Sequence, residues 1–166
     1  MATEYPVGLS RGMRGSIAAG VLILFLAPSA YYLGVSNPLN IAVMAVLVAL
    51  AVYVYRSFGS ALESRAFKLL GIPVIGLAAA GVAALALGLQ IGAAMIAVAY
   101  WGEPVMGYFI YARLKRDFPS LSAAFLASAA VFAYTIPLIL LGLWEVPFAA
   151  DLAKVVVLAA VLRRLG

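Results

Sequence analysis

Residues 92–118 read GAAMIAVAYWGEPVMGYFIYARLKRDF. Residues 92–112 of this stretch would span about 31 Å as a helix, the thickness of a bilayer's hydrocarbon core. A single acid, Glu103, stands about 16 Å from either end of that run at the same rise. An ionisable group at such depth is costly and marks the place where function should be sought. Pro104 follows it and has no N–H to offer the carbonyl of Tyr100, while Gly102 and Gly107 keep the surrounding surface open. A carboxylate and a freed carbonyl therefore share one helical turn, an arrangement suited to loading a proton or cation.

Composition agrees with a membrane setting. Of 166 residues 67% are hydrophobic and 10% charged, more apolar residue than a soluble domain of this size could bury. The chain has no Cys and no His, which removes disulfides, thiolate chemistry, His/Cys zinc sites and Ser-His triads. No metal site, cofactor or catalytic residue is expected. The net charge of +5 does not point to nucleic acid, because the bases cluster in short segments between apolar runs.

Working outward from Glu103, residues 71–101 carry no charge, and the apolar character continues to Ala112. That is roughly twice the length a bilayer needs, so the run must break. Residues 88–92, GLQIG, supply the turn, giving helices at 72–88 and 92–112. On the first of these, Gly76, Ala80, Ala84 and Gly88 form a small-residue seam for a neighbouring helix. Downstream, Pro119 opens a helix at 120–143 that Pro137 should kink, with a second seam at Ser120, Ala124 and Ser128. Trp144 to Pro147 make a turn before a last helix at 147–164, short for a span.

Upstream, residues 1–15 read as a polar, Gly-rich tail in front of a single transmembrane domain over 16–166. The segment APSA before Tyr31 has the look of a signal-peptidase site, yet the run at 16–34 is long enough to span and is read as the first helix, kinked at Pro28. A turn at 35–38 leads to a helix at 38–55. Residues 56–68 read equally as an interfacial amphipathic helix or a solvated loop.

The expected fold is thus an all-α integral membrane bundle of six transmembrane helices. Its charges test that reading, because all of the 11 Lys and Arg but Lys154 fall on one side, which places both termini in the cytoplasm and the protein in the cell membrane. Lys154 lies one turn beyond Asp151, and the plain expectation is an ion pair near the outer boundary with the lysine stem snorkelling outward. The sharper one is that Lys154 reaches across the bundle to Glu103. Tyr100 and Trp101 either line a cavity beside the acid or fill the core. Arg113, Lys115 and Arg116 could hold lipid phosphates, although topology alone demands bases there.

The expected function is a small transporter, channel or membrane substrate-binding subunit with its site around Glu103, the partners being the bilayer and a second copy or a partner membrane subunit. The alternatives are a membrane-embedded lipid-processing enzyme, for which the scattered acids give little support, and an accessory subunit of a membrane complex.

Overall fold

The computed structural model describes residues 6–165 and is all-helical. Its helices are α1 (Val7–Leu33), α2 (Pro38–Leu62), α3 (Arg65–Ala86), α4 (Ile91–Leu114), α5 (Pro119–Thr135) and α6 (Glu145–Leu165). The first four, and α5 with its 3₁₀ extension to Leu141, are long and apolar enough to cross a membrane, as an integral membrane protein requires. The sixth, carrying Asp151 and Lys154, is not among those five. At 21 residues it still covers about 31 Å, longer than expected because it starts at Glu145 rather than Pro147.

Successive helices pack side by side and α6 closes against α1, making a ring in which α2 and α3 share the least extensive seam. Two apolar clusters fill it. One gathers Leu9, Met13, Phe58, Phe67, Leu114 and Val161 at the end where the basic residues lie. The other, Ile23, Leu47, Phe132 and Ala150, occupies the opposite half.

The first helix corrects the expected boundary most. It begins at Val7, so residues 7–15 are helix rather than tail. The reason is a glycine row, Gly8, Gly12 and Gly15, laid against α2. A Cβ on Gly12 would stand 2.7 Å from the Phe58 ring, and one on Gly15 2.8 Å from Val54. Neighbouring Leu9 and Met13, both fully buried, supply the apolar face. Residues 1–5 of the expected tail lie outside the described residues.

Residues 56–68 form neither an interfacial helix nor a loop. They finish α2 and begin α3, with Glu63 in the left-handed region (φ 50°) and Ser64 accepting a hydrogen bond from Phe67 N–H as the cap of α3. The break between α3 and α4 falls at residues 87–90, where Gly88 has φ 78°. The seam on α3 is only partly the expected one: Ala84 is buried, but Gly76, Ala80 and Gly88 are exposed, and Gly81 meets Gly92 of α4 backbone to backbone. On α5, likewise, Ser120 and Ala124 are exposed and the buried face is Ser122, Phe125, Ala129 and Phe132.

The three prolines act differently. Pro28 and Pro104 sit within continuous α1 and α4. Pro137 ends the α-helix, and residues 136–141 continue as 3₁₀ turns to Gly142 at φ 83°. Lacking an N–H for the carbonyl of Ala133, Pro137 lets the chain tighten instead of extending. Pro73 is also internal to a helix, because α3 begins at Arg65, eight residues before it.

Candidate functional site

Glu103 is at the middle of α4, between Ile91 and Leu114, and faces inward because buried Gly107 and Ile110, four and seven residues on, share its side of the helix. Opposite stands α6, brought close to α1 by Gly20, at the centre of α1, where an added Cβ would collide with Val155. That approach carries Asp151 and Lys154 into the interior, with relative exposures of 0% and 3%.

The three charges meet. Lys154 Nζ donates to Glu103 Oε1 at 2.7 Å, and the same nitrogen lies 2.8 Å from Asp151 Oδ1. This second contact is an ion pair, and Asp151 Oδ2 has no hydrogen-bond partner among the described residues. Lys154 also stands 4.2 Å from the centroid of the Phe132 ring on α5, a cation–π contact that covers the ammonium from a third side. The buried lysine therefore does not snorkel. Its helix starts earlier than expected, and its two acidic partners hold it at mid-bundle.

Beside the triad runs a cavity of about 220 Å³, bordered by residues of all six helices and mostly apolar. Val48 and Ala51 of α2 and Val74 and Ala78 of α3 line it, with Phe58 and Phe67 bordering it toward the basic end. Glu103 and Lys154 supply its polar wall, and of the triad only Glu103, 31% exposed, offers appreciable surface to the cleft.

Tyr100 borders the same cavity and packs edge-on to Phe132 at 5.5 Å. Trp101 neither borders the cavity nor fills the core. It is 43% exposed and leans on Tyr134 of α5, because a position two residues from Glu103 is turned about 200° around the helix. Arg113 ends α4, and Lys115 and Arg116 lie in the exposed turn after it, with Lys115 Nζ 5.8 Å from the Tyr111 ring centroid. They are remote in sequence and position from the triad.

Sequence reasoning missed Gly20, Phe132 and Asn40. Asn40 is fully buried, donates to the Gly34 carbonyl at 2.8 Å and accepts from Ser29 Oγ at 2.6 Å, tying the end of α1 to α2 just after Pro28. Its signal was a lone amide within an apolar run, which in a bundle asks for an internal partner.

Comparison with protein-family models, with curated proteins and with solved structures finds no match to this chain.

Proposed function

We propose that this protein is a transport or substrate-binding component of the cell membrane that takes a small, largely apolar molecule into the cleft between α2, α3 and α4. The observation that carries the reading is a buried ion cluster opening on an apolar cavity at the centre of the bundle. Such a cluster is expensive to place in a membrane, and a cavity beside it gives that placement a use. Because Glu103 is the exposed member, the molecule carries one hydrogen-bond donor or amine to meet the carboxylate, and the rest of it fills space against Val74, Ala78 and Val48.

In this reading α6 is the sixth span, both termini face the cytoplasm, and the basic ends of the helices lie at the anionic inner leaflet. Arg113, Lys115 and Arg116 would then rest at lipid phosphate level.

The test is native mass spectrometry of the protein in nanodiscs formed directly from cell membranes. A bound species other than bulk phospholipid is expected, lost in Ala78→Trp, which fills the cleft, and weakened in Glu103→Gln. Finding nothing bound in the native protein, or a species equally retained by both variants, would reject the cleft as its site. Topology is checked separately, since the cysteine-free chain allows single substitutions. An impermeant maleimide applied to intact cells should label Ser36→Cys and spare Ser120→Cys.

A further inference from the structure

The charges of the triad do not balance. Two carboxylates share one ammonium at the centre of a membrane bundle, leaving one surplus negative charge if both acids are ionised. The groups facing Asp151 do not remove it. Its own helix presents Lys154, α4 presents Glu103 with Tyr100 nearby, α1 presents the bare backbone at Gly20, and the Phe132 ring of α5 covers Lys154. A positive charge must come from elsewhere, because an uncompensated ion in a low-dielectric interior is strongly disfavoured.

A divalent cation needs several oxygen ligands, and among the described residues no third acid joins these two. A proton needs one. Of the two carboxyls, Glu103 accepts a well-formed hydrogen bond from Lys154 and is partly exposed to the cleft, whereas Asp151 is wholly buried with Oδ2 unpartnered. The acid that is wholly buried is the one least able to hold a negative charge.

We propose that Asp151 is a proton-binding site, and that its proton keeps Lys154 on Glu103. Loss of the proton from Asp151 leaves a full negative charge 2.8 Å from the ammonium, which then competes with Glu103 for a Lys154 already in contact with both and loosens the Glu103 carboxylate toward the cleft. The base that receives the proton is water or the bound molecule's own basic group. This site follows from charge balance and burial, so it stands whether or not the cleft holds a solute.

Infrared spectroscopy of the intact protein in nanodiscs tests it through the carbonyl stretch of a protonated carboxyl group. One such band is expected at neutral pH, fading as pH rises. Incorporation of carboxyl-¹³C aspartate should shift that band, and only Asp117, in the exposed turn after α4, shares the label with Asp151. Charge balance also fixes the variants: Glu103→Gln and Asp151→Asn should each abolish the band, and Lys154→Met should roughly double it. No band in the native protein, a band unmoved by labelled aspartate, or a band that persists at every pH the fold survives would each overturn the proposal. The labelling and titration arms use the native chain alone, so a variant that fails to fold leaves the test intact.

Discussion

The two halves of the bundle are built differently. Toward the basic end, Leu9, Met13, Phe58, Phe67, Leu114 and Val161 are each at most 2% exposed and interlock across the bundle. In the opposite half the buried cluster is four residues, Ile23, Leu47, Phe132 and Ala150. The triad lies between them. In lipid, where helix association rests on close packing rather than on escape from water, the half with the fuller core is the firmer one. The difference places the fuller core at the basic end, while the cavity follows the less extensive seam between α2 and α3 and runs down to Phe58 and Phe67.

The boundary between the halves is where the largest effect is expected. Lys154→Met strips two carboxylates, one of them wholly buried, of their common partner and should cost about 3–5 kcal/mol, read as a loss of folded protein in detergent unfolding. A variant as stable as the native chain would mean that the triad contributes nothing to holding the halves together. Next comes the contrast itself. Leu114→Ala, in the filled half, should cost about 2–5 kcal/mol because it opens a new void. Leu47→Ala, on the wall of the cleft, should cost roughly half as much, since its space merges with one already present. Equal losses in the same unfolding assay would erase the distinction between firm and loose halves.

The smallest effects separate a seam that packs from one that only looks as if it should. Gly76→Ala meets nothing within 4 Å and should stabilise α3 by up to about 1 kcal/mol through helix propensity. Gly12→Ala carries the same propensity gain but places its methyl 2.7 Å from Phe58, so thermal melting should show it less stable than Gly76→Ala. The reverse order would place the tight approach of α1 and α2 in doubt.

These contrasts mark what the residues disclosed before the fold was known. The hairpin at Gln90 was readable because an apolar run twice the bilayer's depth must turn where glycines permit it, and because the base pattern agreed. The start of α1 was not, since Leu9 and Met13 are hidden among glycines and arginines that mimic a flexible tail. Their four-residue spacing, matched by Gly8 and Gly12, was nevertheless a helical face in plain view. The α3 seam was only partly legible for a related reason. Small residues are frequent there, so several four-residue rows can be drawn, and only the partner helix selects the one through Gly81. For Lys154 the expectation of a reach to Glu103 matches the 2.7 Å contact, and that of a pair with Asp151 the 2.8 Å one, whereas outward snorkelling rested on a depth counted from a late helix start.

At the end away from the bases, the hairpin turns touch through Ser36 and Gln90, whose side chains exchange contacts of 3.3 and 3.4 Å. Both are neutral, Gln90 exposed and Ser36 half-buried, and so long a hydrogen bond contributes no more than about 1 kcal/mol. The aromatic floor formed by Phe58 and Phe67 is far harder to part. If the α1–α2 and α3–α4 hairpins ever spread, they would do so like a pair of tongs, pivoting on the phenylalanines and unlatching first at the serine and glutamine. Entry to the interior would then be gained with little loss of contact, from the side remote from the arginines.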